Sequence, residues 1–299
     1  MLQGLSAEDA RVWYDTARKW FTISAAATFP ASFLVNAPFG RFALKEHSIF
    51  LVDGIKSWIF MELIAPVSLT YAFLNNPLST GPHPPLTLTH PPTFIAALYL
   101  LHYLNRALIS PLRTPSRSKS HIGVTLSAVG FNLTNGSLLG TYLASPAAQT
   151  FLSGAFSRPA FWAGVVLWAL GLAGNILHDE ILLNIRRNAK AKGKARASSP
   201  PKQRKQEHYA IPHGGLYRLI SYPNYFCEWC EWFGFALAAA PPPSFASFSA
   251  FVATAAPPWI FFFAELAAML PRAWKGHQWY HEKFPDYPKE RKAVIPFLF

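Results

Sequence analysis

Apolar stretches close to the length that crosses a bilayer recur along this chain of 299 residues, and they limit what it can fold into. A hydrocarbon core about 30 Å thick is spanned by about 20 helical residues. We place seven such stretches, at about residues 20–37, 50–74, 93–111, 122–144, 159–185, 224–240 and 245–270. The first is short and interrupted by Pro30. Backbone N–H and C=O groups in hydrocarbon must be satisfied within the chain, so runs of this length fold as helices. The expected fold class is all-α. It is a polytopic membrane protein, one domain over residues 1–299, its seven-transmembrane-helix bundle enclosing a ligand cavity.

Composition agrees. The chain is 51% hydrophobic and 14% charged, where a soluble domain carries about a quarter charged residues. Its net charge of +12 raises the question of nucleic acid, but the Lys and Arg residues cluster between the apolar runs. Positive-inside topology accounts for that pattern, so membrane lipid is the expected partner and nucleic acid is not. Arg41, Lys45, Arg113, Arg117, Lys119, the basic run 186–205 and the tail from Arg272 fall in alternate loops, and the other loops hold only Arg158. This asymmetry puts the basic loops and the C-terminus in the cytosol and the N-terminus across the membrane, although Arg11, Arg18 and Lys19 pull the other way. Residues 188–206, NAKAKGKARASSPPKQRKQ, read as a disordered basic cytosolic loop. Two cysteines build no disulfide framework, and the N-terminus lacks the pattern of a cleavable signal.

Polar residues inside apolar helices are costly unless something polar or wet faces them. At about 100° per residue, Asn224, Glu228 and Glu231 project within about 60° on one stripe. Asn175, Asp179 and Arg186 project within about 40°, while Glu180 points away. Glu62 sits mid-segment in WIFMELIAP, and LHYLNR places Tyr103 one turn before Arg106. Three helices thus offer inward polar stripes, the pattern of a ligand cavity. Cys227 and Cys230 match C-x-x-C on a helix, without the context of a redox fold. His277 and His281 stand at i,i+4 without the further ligands of a metal motif, so no metal is expected. No Gly-rich phosphate loop occurs, so a nucleotide would be held by side chains within the bundle.

The tail RAWKGHQWYHEKFPDYPKERKAVIPFLF, with IPHGGLYRLISYPNYFCEWCEWFGFALA, resembles the C-terminal region of steroid 5α-reductases. The resemblance reaches upstream through the Asn175–Asp179 stripe, NGSLLGTY, HYLNR and Glu62, and is weakest before residue 50 and in the basic loop. It implies an endoplasmic reticulum enzyme that uses NADPH to reduce the 4,5 double bond of a 3-oxo-Δ4 steroid, a small lipophilic enone. On that analogy residues 1–112 supply the substrate-side helices, and residues 113–299 the NADPH-binding core and tail. Protonated Glu62 and the phenol of Tyr103 would hydrogen-bond the carbonyl oxygen and stabilise the enolate formed by hydride addition. Arg117, Asn175, Asp179, Arg186, Tyr209, Asn224, Glu228, Arg272 and Tyr280 would bind NADPH. This chain departs from animal members at Leu177-His178-Asp179, at Tyr222-Pro223-Asn224 and at Lys275-Gly276-His277. The Tyr222-Pro223-Asn224 form is closer to plant-type members and to trans-2-enoyl-CoA reductases. Reduction of an enoyl thioester is therefore the rival within enzymes, and a non-catalytic lipid-binding or transport protein the rival outside them.

Overall fold

The computed structural model describes residues 6–35, 37–43, 48–81, 83–195 and 209–299. They are mostly helical, and among them the only sheet is an antiparallel pair of two-residue strands, Leu51–Val52 and Ser120–His121. The long helices are α1 (Ala7–Leu34), α2 (Gly54–Asn75), α3 (Pro91–Tyr103), α4 (Ile122–Ala144), α5 (Pro159–Ala195), α6 (Pro223–Ala239) and α7 (Pro257–Lys283). Two of these, Gly54–Asn75 and the Pro159–Ala191 part of α5, are long and apolar enough to cross a membrane. Large apolar side chains such as Phe60, Val67, Leu101, Leu126, Val166 and Leu170 are exposed on outer faces of α2 to α5. Aqueous surfaces rarely carry so much exposed apolar area, and this face suits acyl chains.

Local chemistry explains where the helices begin and where they overrun the expected bounds. Ser6 caps α1 by accepting from Asp9 N, and Glu8 and Asp9 favour the positive end of the helix, so α1 starts before residue 20. Pro30 lies within α1 without ending it. Asp53 caps α2 through Ile55 N and Lys56 N, and Asn76 closes it in the left-handed region at φ 43°. Pro66, inside α2, withdraws the N–H that would otherwise bond the Glu62 carbonyl. Pro257 and Pro258 occupy the start of α7, dividing the expected 245–270 span into a short helix, Phe248–Thr254, and α7. The helix then runs past the span to Lys283.

The basic loop is corrected in part. Residues 188–195 continue α5 as helix instead of opening a loop. Residues 196–206 of the expected disordered stretch lie outside the described residues.

Packing positions the polar stripes. Helix α2 lies along α4, and α5 along α6. Both approaches need missing side chains: a Cβ at Gly136 would stand 2.1 Å from Ser68 Oγ, and one at Gly171 2.4 Å from Glu231 N. The shared core is aromatic, with Trp232 packed on Phe261 and Tyr99 at centroid separations of 4.5 and 5.7 Å. Such rings each bury a large apolar area and lock the helices in register around the interior.

Candidate active site

Helix α3 changes pitch where the chemistry is densest. After Tyr103 it continues as a π-helical stretch, Leu104–Ile109, with Arg106 inside it. Such bulges recur at functional sites because the extra residue re-aims side chains. Arg106 Nε donates to Glu62 Oε2 at 3.0 Å and Nη1 to Glu228 Oε1 at 2.9 Å. One guanidinium thereby ties α2 to α6, a fork geometry that lysine cannot reproduce. Glu228 Oε2 accepts from Asn175 Nδ2 at 3.1 Å, and that amide also reaches the Asn224 carbonyl at 3.0 Å. Asn224 Nδ2 then donates to Asp179 Oδ1 at 2.9 Å. The result is a continuous polar ribbon from Glu62 through Arg106, Glu228, Asn175 and Asn224 to Asp179.

The ribbon is partly accessible at its hub. Glu62 and Glu228 are buried, whereas the Arg106 side chain keeps 27% of its surface accessible although protein surrounds it. Tyr103 is buried against Tyr99, ring centroids 4.7 Å apart, within electrostatic reach of Glu62, Arg106 and Glu265. It also lines a groove of about 510 Å³ between α2 and α3, whose other walls include Leu63, Val67, Leu74, Leu100 and Leu104. The groove is apolar and opens on the outer face of the helices, so Tyr103 stands between a greasy entrance and the charged ribbon.

At the other end of the ribbon, Arg117 and Arg186 both act on Asp179. Arg117 lies over the Trp58 ring at 3.7 Å, and Trp58 Nε1 donates to the Arg106 carbonyl at 3.2 Å. Tyr209, Arg272 and Tyr280 belong to a neighbouring aromatic cluster. Tyr209 packs on Trp279 at 5.1 Å, Tyr280 stacks on Tyr287 at 5.0 Å, and Arg272 lies over Phe39 at 3.6 Å. Tyr217 is within electrostatic reach of both Asp179 and Tyr280, and joins the two groups.

Two structural devices hold this end. His178 accepts from Leu216 N at its Nε2 (3.0 Å), which leaves Nδ1–H to donate to the Gly174 carbonyl at 2.6 Å. Gly215, at φ +51°, admits that imidazole: a Cβ there would lie 2.6 Å from His178 Nε2. The tail supplies the second. Ser221 N and Tyr222 N donate to the carbonyls of Lys292 and Ala293, and Lys292 N returns a bond to Leu219. Ser221 Oγ meets His277 Nδ1 at 2.6 Å and Tyr287 OH at 2.7 Å. The residues of the D-Y-P-K-x-R-K-A pattern therefore pin the entry to α6, directly before Asn224. Burial first, then His281 and Lys292, push the His277 imidazole down to about 4.

Glu231 departs from expectation. Its Oε1 meets His102 Nδ1 at 2.7 Å inside the aromatic core, beside Trp232, instead of lining the ribbon with Glu228. The two carboxylates meet α3 about one turn apart, Glu228 at Arg106 and Glu231 at His102. Glu180 does point away, pairing with Arg113 at 3.0 Å and with Arg187. Sequence reasoning missed Glu265, a carboxyl group in the apolar run IFFFAELAAML of α7, within electrostatic reach of Glu228, Arg106 and Glu62. Its isolation in that run is the signal that could have found it. Arg41, a loop charge by sequence, stands among aromatic rings in the folded chain.

The sequence that builds this site is similar to proteins of one family. The family model described as 3-oxo-5-alpha-steroid 4-dehydrogenase matches residues 118–299. A Schizosaccharomyces pombe protein of uncharacterized function is 40% identical over 298 residues, covering 96% of this chain and 100% of its own. The 3-oxo-5-alpha-steroid 4-dehydrogenase 1 of Bos taurus is 32% identical over 265 residues, 89% of each chain. The steroid 5-alpha-reductase DET2 of Gossypium hirsutum is 30% identical over 287 residues, covering 93% of this chain and 94% of its own.

Proposed function

Because this chain belongs to the 3-oxo-5-alpha-steroid 4-dehydrogenase family, we propose that it reduces the 4,5 double bond of a 3-oxo-Δ4 steroid, with NADPH as the reductant. The observation that carries this reading is the ribbon from Glu62 to Asp179, with Tyr103 placed between it and the apolar groove. In the same reading all seven apolar segments cross the endoplasmic reticulum membrane, with the basic loops cytosolic.

The donor set fits a nicotinamide dinucleotide. Asn175, Asn224, Asp179 and Glu228 offer both donors and acceptors, as a carboxamide and ribose hydroxyls require, beside Arg106, which retains accessible surface. Arg117, Arg186 and Arg272 suit phosphate oxygens, which guanidinium groups bind bidentately. Tyr209 and Tyr280 supply rings for the adenine end. When bound, the cofactor supplies the hydride that an enone accepts at its β carbon.

The chain's own residues then manage charge and protons. Hydride addition drives negative charge onto the carbonyl oxygen, and the Tyr103 hydroxyl donates a hydrogen bond to it. Glu62 supplies the second hydrogen bond in its protonated form. With Glu62 in that form, Arg106 still keeps Glu228 as a carboxylate partner at 2.9 Å. Solvent delivers the proton to the α carbon. The groove between α2 and α3 admits the lipophilic substrate from the bilayer, which keeps water from the reacting carbonyl.

Product analysis tests this. Membranes containing the chain, given NADPH with a 3-oxo-Δ4 steroid or with an enoyl-CoA, should convert the steroid to the product two hydrogens heavier. Reduction of the thioester alone would move the assignment to that chemistry. Glu62→Gln should still bind NADPH and lose turnover by about 10²-fold or more, the usual share of a general acid. Wild-type turnover from this variant would remove Glu62 from the mechanism.

A further inference from the structure

Tyr99 and Tyr103 stand about one turn apart on α3, their ring centroids 4.7 Å from each other and their hydroxyls within hydrogen-bonding reach. Asn135 Nδ2, on α4, donates to the Tyr99 hydroxyl at 3.2 Å. Tyr99 and Asn135 are both enclosed, at 0% and 1% exposure. The Tyr99 ring is also gripped from two further helices, by Trp232 at 5.7 Å and Phe235 at 6.2 Å on α6, and by Phe261 at 6.2 Å on α7. Its oxygen is therefore held in one place.

Packing alone does not call for these polar groups. A phenylalanine and a leucine would fill the same space, and a buried hydroxyl or amide is costly until it is hydrogen-bonded. Exchanging such a pair for apolar groups of like shape is nearly neutral. What the pair adds is direction. An amide N–H only donates, so the Tyr99 oxygen accepts from Asn135, and its own proton is left for the Tyr103 oxygen. Tyr103, supplied with a donor from behind, turns its proton outward to the groove it lines. Hydrogen bonds that run head to tail polarise one another, so the outermost O–H becomes the stronger donor.

We propose that Tyr99 and Asn135 are positioning residues, a relay from the Asn135 amide through the Tyr99 hydroxyl that aims and strengthens the hydrogen bond Tyr103 gives to the enone carbonyl oxygen. This deepens the reading above and rests on Tyr103 as a donor to that oxygen. Both residues act through Tyr103. The charge that hydride addition drives onto the carbonyl is met by a phenol whose own oxygen is supported by two further groups, without any ion entering the aromatic core.

The test is single-turnover oxidation of NADPH by the full chain purified in detergent, with a saturating 3-oxo-Δ4 steroid or enoyl-CoA, whichever the wild type reduces. Tyr99→Phe removes one hydroxyl and keeps the ring. Its rate should fall about three- to tenfold, the worth of a neutral hydrogen bond, with half-saturation by the enone and NADP⁺ affinity unchanged. Asn135→Leu leaves Tyr99 free to turn its proton either way, and should lose rate by a smaller factor. A merely structural role would not move the next readout. Tyr103→Phe retains Glu62 as a donor and hence a residual rate. Adding Tyr99→Phe to it should leave that rate unchanged, because the relay then has nothing to act on. A second signature needs no turnover: the carbonyl stretch of an isotope-labelled enone bound with NADP⁺ should lie at lower frequency in the wild type than in either single variant. Wild-type rate in a folded Tyr99→Phe or Asn135→Leu overturns the proposal, as does an equal proportional loss from Tyr99→Phe with and without Tyr103→Phe. A wild type that reduces neither substrate sinks the reductase reading and the relay with it, whereas an active wild type matched by Tyr99→Phe sinks the relay alone.

Discussion

Arg106 organises the site because, among the described residues, it is the one side chain that hydrogen-bonds both Glu62 and Glu228. A lysine has the charge but not the fork, so Arg106→Lys should leave one of the two buried carboxylates without its charged partner. A lost hydrogen bond to a charged group costs about 1.5–3 kcal/mol, and the variant should show a lower thermal midpoint together with at least a tenfold loss of turnover. Initial rates and unfolding scans of the purified variant check both, and wild-type values in the pair would remove the hub role. The residue types are legible in the sequence: a carboxylate, an amide or an arginine inside an apolar run declares that something polar faces it. Their partners are not. Glu228 and Glu231 share a stripe by arithmetic, yet one joins Arg106 and the other His102, because the partner depends on which residue along α3 and its π-helical continuation each carboxylate meets in the packed bundle. Arg41 carries no signal at all, since an arginine in a short loop is ordinarily solvated and only the aromatic rings around it in the fold distinguish it.

At the scale of the element, Tyr222 and Gly276, which both lie where the chain departs from animal members, meet in the fold. A Cβ on Gly276 would lie 1.6 Å from the Tyr222 hydroxyl, so the helix α7 backbone can pass this tyrosine only as glycine. Gly276→Ala should therefore destabilise the α6–α7 contact by about 1–3 kcal/mol, the usual cost of overpacking. Tyr222→Ala in the same chain should recover most of the loss, read as a coupling term from the thermal midpoints of both singles and the double. Additive losses would show that the two positions are independent. The ends of elements are the least legible part of the chain. Apolar run length locates α2, α4 and α6 closely, but α1 begins with a capped polar turn and α7 continues through Pro271 into polar sequence. Tertiary contacts sustain both ends where hydropathy has already faded, α1 through Arg18 bonding the carbonyls of Val252 and Ala255, and α7 through the docked tail.

Across the whole molecule, the tail closes a circuit: α7 carries His277 to Ser221, Ser221 meets Tyr287, and residues 292 and 293 bond back to the segment entering α6. The segment that begins α6 is therefore held from the far end of the chain. This circuit has a pH limit. Burial, with His281 and Lys292 nearby, holds the folded His277 at about 4, whereas a free imidazole titrates near 6.5. The unfolded or undocked tail thus binds a proton that the docked tail refuses, and docking is favoured in full above about pH 6.5. As pH falls from there towards 4 the docked state loses that advantage, and a proton on Nδ1 also ends its capacity to accept from Ser221. Hydrogen exchange of residues 285–299 should stay slow at pH 7.5 and quicken beyond the intrinsic pH dependence between pH 6.5 and 4.5. His277→Gln, which keeps an acceptor and cannot titrate, should flatten that dependence while the tail remains docked. A tail whose protection falls equally in both proteins would place the acid-sensitive group elsewhere, because His277 is the residue of the circuit whose proton affinity the fold lowers.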